Sequence, residues 1–253
     1  MNLKTPTLTV VGAGPGDLDL ITLKAIKAIE SGDVILYDAL VNKALLHYAP
    51  KQAELIFVGK RRGCYAFQQE QINELIVAKA KEKGHVVRLK GGDPFIFGRG
   101  AEEIDYVKPF GLETFVVPGI SSATAVPAYQ GISLTKRGAS ESFWVITGTT
   151  KNHHLSTDVA LAAKSTATVV ILMGMHKLDE IVSVFSEEKK EDIPVAVIQN
   201  GTTSDEKVGL GTISTIQKIV EEKQLSSPAI IVIGEVVKQR AVLNSISNDV
   251  ALV

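Results

Sequence analysis

Gly91-Gly92-Asp93-Pro94-Phe95-Ile96-Phe97-Gly98-Arg99-Gly100 follows directly on Val86-Val87-Arg88-Leu89-Lys90. The first stretch holds four glycines, a proline, an acid and an arginine within ten residues. The run before it reads as a β-strand. Glycine lets a backbone approach a ligand with no Cβ in the way. In open α/β sheets, ligands bind beyond the carboxyl ends of the strands. A second loop of this kind, Gly12-Ala13-Gly14-Pro15-Gly16-Asp17, follows Leu8-Thr9-Val10-Val11. Two such loops imply one small-molecule site assembled from several strand ends.

Working outward, short β-rich runs alternate with helical patterns through the first half. Strands are expected at 7–11, 33–37, 54–58, 85–89 and 113–117, and helices at 18–30, 68–83 and 101–110. Gly84 and Gly111 stand where the second and third helices should stop. Such alternation argues for a mostly parallel sheet covered on both faces. The second half offers strands at 142–147, 167–172, 195–199, 207–211 and 229–234, and helices at 155–163, 177–187 and 212–223. The short link between 199 and 207 predicts a hairpin, and hence a mixed sheet. The polar segment Gln130–Ser140 places the domain boundary. The reading is an α/β protein of two α/β domains, 1–137 and 138–240, with a tail at 241–253.

Composition narrows the function classes. The 253 residues are 45% hydrophobic and 22% charged, with a formal net charge of −1. That balance gives no global pull toward nucleic acid or anionic lipid. The single cysteine, Cys64, excludes an internal disulfide and a cysteine-built metal site and suits a reducing cytoplasm. No apolar stretch approaches the roughly 20 residues of a membrane span, and residues 1–6 lack a signal-peptide core. The five histidines show no zinc-ligand spacing. No metal, nucleic-acid or membrane partner is therefore expected.

The first glycine loop is not a dinucleotide fingerprint. That motif needs glycines at relative positions one, three and six, and here the sixth is Asp17. Pro15 also removes a backbone donor that a phosphate would use. In the longer loop, Asp93 before Pro94 suits either a ligand contact or a turn cap. Arg99 suits a carboxylate or a surface ion pair. Asp38 directly follows Val34-Ile35-Leu36-Tyr37. A strand's carboxyl end is where an acid–base group is useful, although an aspartate there also serves as a turn residue. Lys60-Arg61-Arg62 and Lys136-Arg137 gather cations at a strand end and in the boundary segment. They fit a polyanionic small ligand, because no aromatics alternate with them as a nucleic-acid stacking surface requires.

Taken together, these motifs resemble the tetrapyrrole C-methyltransferases. The resemblance rests on Val11–Asp17, Tyr37-Asp-Ala-Leu-Val41, Val58-Gly-Lys-Arg61, the whole run 91–100, Val117-Pro-Gly-Ile-Ser-Ser122, and Pro228-Ala with Ile233-Gly-Glu-Val-Val237. It spans about residues 5–238. Asp38 and Lys60 with their flanks point to the branch that methylates uroporphyrinogen III. The resemblance implies S-adenosylmethionine as methyl donor, held in a cleft between two α/β domains, and a homodimer. It implies one methyl each to rings A and B, giving precorrin-2 for sirohaem and cobalamin-type cofactors. By position, Pro15, Gly91, Gly92, Asp93, Ile96, Ser121 and Ser122 match donor-binding residues, and Met173, Ala196 and Gly201 fall near the remainder. Asp38 matches the proton acceptor and Lys60 the proton donor. The eight carboxylates of the substrate would then meet Arg61, Arg62, Arg99, Lys136 and Arg137. Members often carry Thr-Ala where Ser121-Ser122 stand, a change expected to alter contacts little. Some members carry a further domain for later steps, which in this case are expected to need separate proteins. A later precorrin or cobalt-precorrin methyltransferase, or a non-catalytic module binding an anionic tetrapyrrole, are the alternative readings.

Overall fold

A computed structural model describes residues 5–59 and 67–240. The chain divides into two compact units, one ending at Ser122 and one starting at Ala123.

The first unit runs β1 (Thr7–Gly12), α1 (Leu23–Glu30), β2 (Val34–Tyr37), β3 (Glu54–Phe57), α2 (Gln69–Lys83), β4 (His85–Lys90), α3 (Gly100–Val107) and β5 (Glu113–Val117). The five strands form one sheet in the order β3-β2-β4-β1-β5, and every pairing is parallel. Helix boundaries follow local chemistry. The helical pattern expected from residue 18 breaks at Thr22, whose hydroxyl accepts from Ala25 N at 3.1 Å and starts α1. Leu18–Leu20 is left as a separate 3-10 turn. Gly84, at φ 112°, ends α2.

Strand residues alternate between the two faces of the sheet. Leu8, Val10, Val34, Leu36 and Val86 pack with Ile72, Ile76 and Ala80 of α2 and Ile104 and Val107 of α3. Val11, Ile35, Val87 and Leu89 pack with Ala25 and Ile29 of α1 on the opposite face. Leu8, Ile35, Leu36, Ile76 and Leu89 are fully buried, and each such burial is worth about 1.5–3 kcal/mol. This layering positions the site. β1 and β4 are neighbours, yet the chain leaves β1 for α1 on one face and leaves β4 for α3 on the other. Neighbouring strands whose connections depart to opposite faces open a crevice at their carboxyl ends, and both glycine loops start there.

The second unit takes in α4 (Ser122–Tyr129) from its second residue and continues β6 (Phe143–Thr147), α5 (Asp158–Lys164), β7 (Thr168–Leu172), α6 (Leu178–Glu187), β8 (Pro194–Gln199), β9 (Lys207–Thr212), α7 (Ile216–Glu222) and β10 (Ala229–Ile233). The sheet order is β6-β7-β10-β8-β9. Only β6 and β7 pair in parallel, and β8 and β9 form the expected hairpin. The sheet is therefore mixed.

One helix departs from the sequence reading. The α4 segment Ser-Ala-Thr-Ala-Val-Pro-Ala-Tyr carries Pro127 within it and shows no apolar stripe, because Ala123, Ala125, Val126 and Pro127 are all buried. Val126 packs with Ala196 and Ile198 of β8. That packing draws the segment into the second unit. The division consequently falls before Ala123, earlier than the 137/138 boundary expected from the polar stretch Gln130–Ser140. The expected tail, 241–253, lies outside the described residues.

Candidate active site

Three loops meet at the carboxyl ends of β1, β4 and β5. Gly14 N donates to Gly92 O at 3.2 Å, and Gly92 N donates to Gly14 O at 2.7 Å. A Cβ on Gly12 would stand 2.5 Å from Gly119 Cα and 2.7 Å from Gly92 O, so these backbones touch only because glycine occupies the crossing. Asp93 Oδ1 accepts from Phe95 N at 2.8 Å, and its Oδ2 accepts from Gly119 N at 3.0 Å. Asp93 is thus both the turn cap its position before Pro94 allows and a tie between the second and third loops. The loop after β2 joins them. Asn42 Nδ2 donates to Gly16 O at 2.9 Å, and a Cβ on Gly91 would meet Leu40 Cβ at 2.7 Å.

The two leading glycines therefore differ. Gly91 is glycine because Leu40 packs against it. Gly92 has φ +67°, and a Cβ there would find no atom nearer than 3.8 Å. Its missing side chain leaves space open along the loop. Buried Ser121 and half-buried Ser122 border that space, and the same loops carry half-buried Pro15 and exposed Ile96. Backbone groups, two serine hydroxyls and an apolar side chain suit the adenosyl and amino-acid parts of S-adenosylmethionine. The Asp17 and Pro15 positions disfavour a phosphate ligand.

Asp38 stands at the end of β2, as expected, with its side chain 24% exposed. Its Oδ1 accepts from Leu40 N at 3.0 Å, and its Oδ2 lies 3.6 Å from Arg88 Nη2. Arg88 leads into a charge cluster that the sequence reading passed over. Arg88 Nε donates to Glu103 Oε1 at 3.3 Å, and Lys90 Nζ donates to the same oxygen at 2.6 Å. Gln69 Nε2 adds a third donor at 3.1 Å. Arg88, Lys90 and Glu103 are 3%, 4% and 0% exposed. Burial, followed by the Arg88 charge, pushes the Lys90 ammonium below its ordinary value, against the opposing pull of Glu103 and Asp38. Breaking a buried ion pair on one side costs about 3–5 kcal/mol, so this cluster stands or falls together. The signal was present in the sequence: Arg88 and Lys90 fall in phase with Val86 on the α2/α3 face of β4, where an apolar residue is otherwise the rule.

The remaining expected residues separate. Arg99, in the left-handed region at φ 60°, donates to Glu102 through Nε at 3.0 Å and Nη2 at 2.6 Å. This pairing raises its pKa. It forms the surface ion pair that was one of its two readings. Lys136 and Arg137 are exposed in the second unit, where Lys136 N donates to Ser140 O at 2.8 Å. Met173 follows β7 at φ 56° and is 52% exposed. Ala196 sits inside β8 at 0% exposure, packed with Val126 and Val232, so its side chain is taken up by the core. Gly201, just past the carboxyl end of β8, is glycine because a Cβ would press on Val126 Cγ2 at 2.6 Å. Lys60, Arg61 and Arg62 lie outside the described residues. Among the described residues, no three His, Cys, Asp or Glu side chains group as a metal site, and no helix is long and apolar enough to cross a membrane.

A profile of the tetrapyrrole (corrin/porphyrin) methylases matches residues 7–217. The chain belongs to this family. It is 47% identical over 235 residues to the uroporphyrinogen-III C-methyltransferase of Methanocaldococcus jannaschii, covering 92% of this chain and 97% of that one. It is 46% identical over 238 residues to the S-adenosyl-L-methionine-dependent uroporphyrinogen III methyltransferase of Methanosarcina barkeri, covering 92% and 93%. Among solved structures, the uroporphyrin-III C-methyl transferase of Thermus thermophilus, complexed with S-adenosyl homocysteine, superposes with a TM-score of 0.79. Identity to that structure is 32%, with 92% of this chain and 99% of that one covered.

Proposed function

We propose that this protein is an S-adenosylmethionine-dependent C-methyltransferase that methylates uroporphyrinogen III on rings A and B to give precorrin-2. The observation that carries the reading is the open cradle at Gly92, joined by backbone hydrogen bonds to the first glycine loop and packed, through Gly91 and Leu40, on the loop that carries Asp38. The relatives, at 46% and 47% identity over nearly their full length, bear uroporphyrinogen III in their names.

When bound, the donor supplies an activated methyl on a sulfonium. The pyrrole β-carbons of a porphyrinogen are electron-rich, so much of catalysis is holding the two reactants within about 3–3.5 Å in line. In our reading, Gly91, Gly92, Pro15, Ile96, Ser121 and Ser122 shape the donor side, and Asp93 locks their loops. Met173 and Gly201 are assigned to the donor in the second unit. Bond formation leaves a positive charge on the pyrrole ring, which is discharged by proton loss. Asp38 takes that proton, and Lys60 is assigned as proton donor. Arg61, Arg62, Lys136, Arg137 and Arg99, the last by exchanging Glu102, meet the substrate carboxylates.

The proposal extends to a homodimer in the cytoplasm, with its product serving sirohaem and cobalamin-type synthesis. Exposed Phe143 and Trp144 on the edge strand β6 of the second unit support self-association, and the lone cysteine suits a reducing compartment. The test is transfer of labelled methyl from S-adenosylmethionine to enzymatically prepared uroporphyrinogen III, with precorrin-2 and later precorrins as parallel substrates. Label in uroporphyrinogen III is expected. Label only in a later precorrin would favour the alternative methyltransferase, and binding without label would favour a carrier.

A further inference from the structure

The setting of Asp38 depends on a side chain it does not touch. Arg88 directs its guanidinium at three acceptors: Nη1 donates to Leu89 O at 2.9 Å, Nε donates to Glu103 Oε1 at 3.3 Å, and Nη2 stands 3.6 Å from Asp38 Oδ2. A guanidinium is planar and rigid, so fixing two of its nitrogens fixes where the third points. Of its two anchors, the Leu89 carbonyl belongs to the strand itself, and only Glu103 comes from another element. Glu103 lies in the first turn of α3, is fully buried, and is itself held by Lys90 and Gln69.

We infer that Glu103 is a positioning residue for Asp38, acting through Arg88. Arg88 steadies the Asp38 carboxylate from one side while Leu40 N holds it from the other, and Glu103 sets the direction of Arg88. The inference rests on Asp38 being the proton acceptor. It differs from the plainer role of Glu103, which is to balance the charges of Lys90 and Arg88 in the core. A charge-balancing residue would affect stability and leave the Asp38 step alone.

The experiment is single-turnover methyl transfer at saturating donor for Glu103→Gln, with and without Asp38→Asn. Because Glu103→Gln leaves two buried cations short of an anion, Lys90→Met/Glu103→Gln serves as a second, charge-balanced variant that removes one buried charge of each sign. A displacement of about 1 Å in a reacting group costs on the order of a hundredfold, so both variants should fall about tenfold to a hundredfold in rate. Donor affinity should hold. In the Asp38→Asn background the same changes should have little further effect, because residues acting through one group do not add. An equal fall in that background, or a folded variant with the parental rate, would overturn the inference. A parental rate in Asp38→Asn alone would overturn the proton-acceptor reading, and the positioning role with it.

Discussion

The two units of this chain bury different kinds of polar group. In the first, Arg88, Lys90 and Glu103 are buried together, and Arg88 reaches on to Asp38. In the second, the buried polar residues among those described are Gln130, Ser140, Ser156, Thr168 and Thr202, all uncharged. Both units use glycine at strand ends, but differently: Gly92 faces open space, whereas Gly201 is pressed against Val126. A buried charge is costly unless it is paired, and its placement here coincides with the residue assigned to move a proton. On the proposed reading, proton chemistry belongs to the first unit, where the buried charges are, while the second contributes shape and backbone.

The glycines give the sharpest way to break this contrast. Gly92→Val puts a branched side chain at φ +67°, a conformation that costs about 1–2 kcal/mol, and fills the cradle. Calorimetric titration with S-adenosyl homocysteine should show binding lost in a protein that still folds. Gly201→Ala should behave oppositely, lowering stability by about 1–3 kcal/mol through overpacking while the folded protein still binds donor. A Gly92→Val protein that binds normally, or a fully stable Gly201→Ala that does not, would erase the distinction.

Alkaline stability tests the buried charges. Lys90 is held below the ordinary lysine value of about 10.4 by burial and by Arg88. Between the depressed value and the ordinary one, the unfolded chain binds more protons than the folded chain, so this group's contribution to stability rises with pH. Denaturant melts from neutral pH toward that value should show the parent gaining on Lys90→Met. A constant gap would mean that Lys90 ionises as it would in water. The smallest effect belongs to the exposed cations of the second unit. Lys136→Ala should raise the substrate Michaelis constant by a few-fold at low salt and by less at high salt, because exposed contacts are screened. Equal loss of donor affinity would assign Lys136 a structural role.

Much of this was legible in the sequence because it is local. Among the described residues, all ten strands follow the alternation of apolar runs, and Gly84 and Gly111 marked helix ends. The glycine loops, Asp38 and the hairpin after Gln199 all follow from spacing. The misses were of two kinds. The α4 segment hid because Pro127 and all-round burial erase the helical period that an amphipathic helix shows. The charge cluster hid because its meaning is tertiary: Arg88 and Lys90 on a strand look like edge cations until α3 brings Glu103 over them. For Asp93 the sequence offered a ligand contact or a cap; the cap is present, but its second bond, to Gly119 N, joins two loops and no local pattern announces it. Ala196 entered on family position alone, and its burial within β8 could not be read there.

The central claim is that the first unit removes the proton through Asp38 while the donor is held elsewhere in the same loops. Asp38→Asn tests it most directly, measured by single-turnover transfer of labelled methyl to uroporphyrinogen III alongside donor titration and a melting curve. A general base contributes about 10²–10⁴-fold, so the rate should fall by that factor with donor affinity and melting temperature near the parental values. A stable Asp38→Asn protein that binds donor and transfers methyl at the parental rate would contradict the account.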